Sequence, residues 1–318
     1  MGHGKSRSGI HPRHLSFRFG KAQMKKTRIG SHRISEGYLY ILPWIIGFIV
    51  FGAYPLLASL YYSVTDFSMF NQPRFVGVRN YIYMFTQDRE FLPSLLVTFK
   101  YVLLSVPMKI ISALFFAMLL NRNIRFINLF TTIYYLPSIL GASVSISILW
   151  RFMFSLSGLV NTLLTRLGVD PIPFLEHPRY ALFTISLLVV WSFGSSMVIF
   201  LAGLKQIPKE LYEAARVDGA SGIREFFGIT LPLITPSLFF NLIMQLINSF
   251  QSFTGASVIT RGGPMRSTYL YMMKLYDEAF ANFKMGYASA LSWFLFIIIL
   301  GVTLLVFRKT DRFTYYQE

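Results

Sequence analysis

The sequence predicts an all-α integral membrane protein of about six transmembrane helices, and three observations predict it. Only 14% of the 318 residues are charged while 54% are hydrophobic, far from the roughly one-quarter charged content of soluble domains. The apolar residues gather into six runs, Tyr40–Ser63, Ser94–Leu120, Phe130–Phe154, Leu182–Leu204, Thr235–Val258 and Ala288–Phe307, each near or beyond the ~20 residues that cross ~30 Å of hydrocarbon. With the N-terminus inside, segments 1–39, 121–129, 205–234 and 308–318 carry 18 of the 30 Lys and Arg residues and the opposite side carries 10. This bias follows the positive-inside rule and places both termini in the cytoplasm.

Taken in order, residues 1–39 form a basic cytoplasmic tail with a single acid, Glu36. Such a composition cannot build a packed core, and it suits a tail lying on anionic lipid. Residues 40–307 form one six-helix membrane domain, and residues 308–318 a second cytoplasmic tail. Pro43, Pro55, Pro107 and Pro137 fall in or near the runs, where neighbouring helices can satisfy the carbonyls they free. The second run carries Lys100 and Lys109, nine positions apart, which puts them on opposite helix faces. Lys100 can snorkel to the headgroups. Lys109 lies deeper, and two roles fit it. It can bond carbonyls freed by Pro107, or it can face a polar path and favour an anionic solute.

The fifth run is interrupted by Asn241, Gln245, Asn248 and Ser252, at i, i+4, i+7 and i+11, one stripe of a helix. Unpaired amides facing lipid are expensive, so the stripe faces protein or water. It is either a helix-helix seam or the wall of a polar path, with Phe250 and Phe253 offering ring faces beside it.

Several classes of chemistry lack their residues. The net charge of +16 is explained by orientation, so no nucleic-acid partner is expected. The absence of Cys excludes disulfides and Cys-ligated metals, and the five His residues lie outside the runs, so no metal site is expected. Gly4-Lys5-Ser6 has no Gly five residues upstream and is not a phosphate loop. Ser105 and Lys109 stand at i, i+4 without an oxyanion-hole motif to make them a catalytic dyad. No run contains a carboxylate, which weighs against the alternative of a secondary transporter or channel for a polar solute.

The segment between the fourth and fifth runs, residues 205–236, reads as helix, turn, helix. Pro208 suits a first turn and Leu211, Ala214 and Ala215 repeat at helical spacing. Gly219 can take the left-handed conformation that ends the helix, and Ser221 can cap the next. Within it, Glu213-Ala214-Ala215, three residues, Gly219, nine residues and Ile229-Thr230-Leu231-Pro232 match the EAA signature of bacterial ABC import permeases. Thr260-Arg261-Gly262-Gly263-Pro264 with Ser267-Thr268, Gly286-Tyr287-Ala288-Ser289-Ala290 and Ser157-Gly158-Leu159-Val160-Asn161 resemble the carbohydrate-uptake permeases of the maltose-transporter type.

The resemblance covers about residues 36–310 and implies a type I ABC importer permease in a bacterial inner membrane. It implies a coupling helix in which Glu213, Ala214, Ala215, Gly219, Ile229, Leu231 and Pro232 face an ATPase. It further implies a non-catalytic subunit with no cofactor of its own. ATP and Mg would sit on two separate ATPase subunits, beside a second, paralogous permease and a solute-binding protein that delivers a sugar or oligosaccharide. The substrate path expected here comprises Asn241, Gln245, Asn248, Ser252, Phe250, Phe253 and Lys109.

Overall fold

A computed structural model describes residues 1, 2, 4, 31–122, 125–141 and 143–310. The expected tails therefore fall largely outside the described residues. Two compact units divide at Pro55 and Leu56. The first contains α1 (Ser31–Phe48), in which Trp44 and Phe48 stack at 5.6 Å, and a π-helical turn, Ile49–Ala53. Helix α1 begins earlier in the sequence than the apolar run alone indicates. The run Tyr40–Ser63 is helical and apolar enough to cross a membrane, and of its residues only the last, Ser63, is buried, as lipid-facing surface should be.

The second unit starts within α2 (Tyr54–Ser63) and continues through α3 (Arg79–Thr86) into the long α4 (Phe91–Leu120). Then come α5 (Ile127–Leu140), α6 (Val144–Met153), α7 (Leu159–Arg166), α8 (Pro178–Trp191) and α9 (Gly194–Lys205). The loop helices α10 (Lys209–Val217), α11 (Gly222–Glu225) and α12 (Leu231–Leu233) lead to α13 (Thr235–Phe250), α14 (Thr254–Ile259), α15 (Tyr271–Tyr276) and α16 (Met285–Thr310).

Helix α4 is the axis of this unit. Its residues Thr98, Tyr101, Val102, Ser105, Val106, Lys109, Ile110, Ala113 and Ala117 are buried, a stripe at helical spacing that packs against α8, α9 and α13. Small residues set the approach distances. A Cβ on Gly203 would lie 2.7 Å from Ser237 Oγ, where α9 meets α13. One on Gly286 would lie 2.9 Å from the Phe67 nitrogen, where Gly286 N–H donates to the Phe67 carbonyl at 2.8 Å.

The six expected runs appear as three unbroken helices and three bent pairs. Tyr40–Ser63, Phe91–Leu120 and Met285–Arg308 are unbroken, whereas α5 with α6 bends by 102° and α8 with α9 by 48°. The third pair, Gly222–Leu233 with Thr235–Ile259, bends by 69°, and α13 itself stops at Phe250 before α14 resumes. Continuous apolar composition hides these breaks, because the composition reports length in hydrocarbon and not the direction of the axis.

Candidate functional site

The breaks in the third, fourth and fifth spans meet around one cavity. At the fourth, Ser192 and Phe193 interrupt the helix and leave backbone groups without their usual partners. Ser138 on α5 supplies them, its Oγ donating to the Ser192 carbonyl at 3.1 Å and accepting from the Ser195 N–H at 2.9 Å. Such close approach requires two glycines. A Cβ on Gly141 would sit 2.8 Å from the Pro137 carbonyl and from Ser192 Cβ, and one on Gly194 would lie 2.7 Å from Tyr135 Cα.

The cavity has a volume of about 390 Å³, at the lower end of the range for small-molecule sites. Ser138, Gly141, Ser192 and Ser195 form one wall, and Ile185, Leu188 and Val189 of α8 form an apolar one. Opposite lie Gln245, Asn248, Ser249, Gln251, Ser252 and Phe253, with Tyr101 and Lys109 of α4. Among the described residues no carboxylate lines it.

Of the expected path residues, Gln245, Asn248, Ser252, Phe253 and Lys109 line this cavity. Gln245 Nε2 donates to Ser196 Oγ at 3.2 Å, and Ser252 Oγ shares a 3.1 Å bond with the Tyr101 hydroxyl. Asn248 is exposed. Asn241 and Phe250 lie elsewhere. Asn241 is buried and donates to the Ser237 carbonyl of its own helix at 3.1 Å. Phe250 is buried edge-on against Phe99 at 5.3 Å. Along this stripe the first residue, Asn241, lies beyond the cavity and the last, Ser252, follows the helix end. Ser105 donates to Ser249 Oγ at 3.5 Å rather than pairing with Lys109. Phe253 leads outward to Tyr276 and then Phe280, with ring centroids 4.9 Å apart at each step.

The loop between the fourth and fifth spans has the helix-turn-helix form that its sequence implies, and its geometry gives the motif a physical reading. Helix α10 ends with Ala220 N–H donating to Ala215 O at 2.9 Å and Gly219 N–H to Arg216 O at 3.0 Å, the two bonds of a Schellman cap. Gly219 has φ +77°, so the four-residue step from Ala215 to Gly219 is the step from a capped carbonyl to the left-handed residue. Pro208 precedes α10 as its N-cap, and Ser221 takes the extended conformation of an N-cap without a side-chain hydrogen bond. Glu213 and Ala214 are exposed, whereas Ala215, Ile229, Leu231 and Pro232 are half-buried.

Two contacts that the sequence reading missed fasten this loop. The Tyr212 hydroxyl and Thr230 Oγ1 are 2.9 Å apart, and Arg216 Nε lies 3.0 Å from Glu225 Oε1. The exposed face between them carries Val217, Ile223 and Phe227.

A buried ionic cluster was also missed. Asp88, just before α4, accepts from Lys274 Nζ of α15 at 2.7 Å, with the two side chains 6% and 2% exposed. Asp88 also accepts from the Tyr287 hydroxyl of α16 and from the backbone N–H groups of Glu90 at 2.9 Å and Phe91 at 3.2 Å. Burial pushes its carboxyl up, but the bonds from Lys274, Tyr287 and Glu90 outweigh it and hold the group below its ordinary value. The Thr260–Thr268 loop closes on itself through a 2.7 Å bond between the two threonine hydroxyls. Arg266 then stacks on Tyr269 at 4.4 Å and pairs with Glu90 at 2.7 Å. Among the described residues, no group of three or more His, Cys, Asp or Glu side chains gathers to hold a metal.

The chain as a whole is similar to known proteins. Residues 82–313 match the family described as binding-protein-dependent transport system inner membrane component. The chain is 45% identical over 302 residues to the probable ABC transporter permease protein YesP of Bacillus subtilis (strain 168), covering 94% of this chain and 98% of that one. It is 34% identical over 284 residues to the sn-glycerol-3-phosphate transport system permease protein UgpA of Yersinia pestis, covering 88% and 95%. A chain of a bacterial alginate ABC transporter, solved with an alginate pentasaccharide-bound periplasmic protein, shares the fold with a TM-score of 0.77 at 23% identity, over 89% and 96% of the two chains. The match over residues 82–313, with relatives of this identity and coverage, shows that the chain belongs to the binding-protein-dependent inner membrane components, the permeases of ABC importers.

Proposed function

We propose that this permease forms half of the path by which a sugar or oligosaccharide enters a bacterial cell. The observation that carries the reading is the cavity at the three helix breaks, where the amides of Gln245, Asn248 and Gln251 stand among serine hydroxyls opposite an apolar wall. Amides and hydroxyls can exchange hydrogen bonds with a polyol as it sheds water, and the apolar side accepts the C–H faces of a sugar ring. Relatives named for sn-glycerol-3-phosphate and a fold neighbour named for alginate handle hydroxyl-rich solutes, which supports this cargo class.

In this reading a solute-binding protein delivers the cargo on the outer face and a paralogous permease completes the path. The subunit has no catalytic role and no cofactor of its own. ATP and Mg act on two separate ATPase subunits. Both termini are cytoplasmic, in the bacterial inner membrane, and residues 40–307 act as one membrane domain between tails 1–39 and 308–318. The loop of residues 205–236 is then the coupling segment. Glu213, Ala214, Ala215 and Gly219 set its shape and outer face, while Ile229, Leu231 and Pro232 hold it against the membrane helices.

Reconstituting the complex with its binding protein in proteoliposomes tests the reading. ATP-dependent uptake of a labelled sugar is expected, and it should fall in Asn248→Leu without loss of assembled complex. Uptake of amino acids but of no sugar would refute it.

A further inference from the structure

Lys109 is 8% exposed on α4 and lines the cavity, yet among the described residues no carboxylate lies within ion-pair distance of it and no hydrogen bond reaches it. The structural role that its neighbour Pro107 suggests, bonding to carbonyls freed at the kink, is not what the geometry contains. Among the described residues its surroundings supply no anion. Tyr101, on the same face two turns earlier, is engaged with Ser252, and Gln245 is engaged with Ser196. The amides of Asn248 and Gln251 have no partner among the described residues either. Nor is the ammonium sealed in apolar packing, since the fully buried side-chain polar atom left without a partner is Ser267 Oγ. A cation placed so deep without a counter-charge is costly. Its cost falls when something negative enters the cavity.

We propose that the permease cavity is itself charge-selective, and that Lys109 pairs with an anionic group on a polyol cargo while Asn248 and Gln251 take its hydroxyls. The proposal rests on the reading of this cavity as the cargo path. An ammonium is a compact point charge that does not demand planar, bidentate partners, so the group is a carboxylate, as on a uronic acid, or a phosphate ester. The cavity of about 390 Å³ holds a short sugar and not a polymer, so a longer chain would present its charged units to Lys109 one after another.

The experiment measures binding of three labelled probes to the purified complex of this chain, its partner permease and the ATPase subunits: a digalacturonate, the matching neutral digalactose, and galactose 6-phosphate. A charge-assisted hydrogen bond is worth about one to two powers of ten in affinity. Lys109→Met, which keeps the stem and removes the charge, should weaken at least one anionic probe by about tenfold to a hundredfold and leave the neutral probe unchanged. Lys109→Arg should retain the preference. A loss confined to the uronate or to the phosphate ester names the anion. If Lys109→Met binds charged and neutral probes in the wild-type ratio, the proposal fails. It fails equally if the variant loses assembly while Lys109→Arg binds charged and neutral probes equally, because Lys109 then serves a contact with the partner subunit. If the wild-type complex binds the neutral sugar at least as well as both anions, charge selectivity fails while the sugar-path reading stands. If it binds none of the three, both fail.

Discussion

Replacing Asp88 with Asn isolates the charge in the buried cluster, because the amide oxygen can still accept from the Glu90 and Phe91 N–H groups that begin α4. What is lost is the carboxylate 2.7 Å from Lys274 Nζ. Removing one partner of a buried pair costs about 3–5 kcal/mol, since the other charge stays buried. Lys274 keeps a weaker partner in Glu278, at 3.4 Å, so the lower end of that range, about 3 kcal/mol, is expected. The assay is a denaturant titration of the detergent-solubilised protein, followed by helix content. Lys274→Met should cost less than Asp88→Asn, because Asp88 retains Tyr287 and two backbone donors. The double variant should recover part of the loss, as residues in contact do. The pH dependence fixes the sign independently. The fold holds the Asp88 carboxyl below its ordinary value, so its contribution is fully present above the ordinary value and is lost as pH falls through the lower folded one. The difference between wild type and Asp88→Asn should therefore stay constant from neutral pH down to about 5 and shrink only below about 4. A loss under about 1 kcal/mol, as at an exposed pair, or strictly additive effects in the double variant, would refute the account.

Other consequences are smaller in scope. At Gly219 a Cβ would meet nothing within 4 Å, so the φ of +77° alone limits substitution. Transport per ATP should then fall in the order Gly, Asn, Ala, Val while membrane insertion is unchanged, and equal coupling in Gly219→Val would remove the cap from the mechanism. Ser138→Ala strips the Ser195 N–H and the Ser192 carbonyl of their partner; a stability loss of about 1–3 kcal/mol is expected, read by the same titration. Gln245→Leu breaks the bond to Ser196 and should lower both stability and uptake, whereas Asn248→Leu should lower uptake per assembled complex alone. Identical behaviour of these two variants would show that exposure to the cavity does not separate them.

The spans could be read from the sequence because crossing hydrocarbon demands a minimum apolar length, a constraint local to each run. The EAA loop could be read for the same reason. Its cap depends on residues four and five positions apart, and the glycine needed at positive φ is visible in one short segment. The breaks could not. That at Ser192 and Phe193 has no proline, and the partner that tolerates it, Ser138, lies in another span. Proline position is a poor guide here, since Pro107 sits within α4 without splitting it. The pairing of Asp88 with Lys274 was hidden by separation along the chain, and each looked like an ordinary loop charge. Asn241 shows the limit of periodicity. Spacing puts it on the same helix stripe as Gln245 and Asn248, but how far along the axis the cavity extends depends on where the neighbouring helices bend.

That dependence suggests why the polar lining and the breaks coincide. Within hydrocarbon a broken helix exposes N–H and C=O groups that lipid cannot satisfy, so breaks survive only against protein or a water-filled space. Around this cavity the fourth span's break is satisfied by Ser138, α13 of the fifth ends at Phe250 with Gln251 lining the space, and the third turns beside Gly141. Serines and glycines at these positions serve two requirements at once. They let backbones approach closely enough to satisfy one another, and they leave a hydroxyl-lined wall where a bulkier apolar residue would fill the cavity. Lys109 meets neither requirement. Its stem is buried in the packing stripe of α4, but among the described residues its ammonium bonds no freed carbonyl, so its charge is accounted for by what occupies the cavity rather than by what builds it.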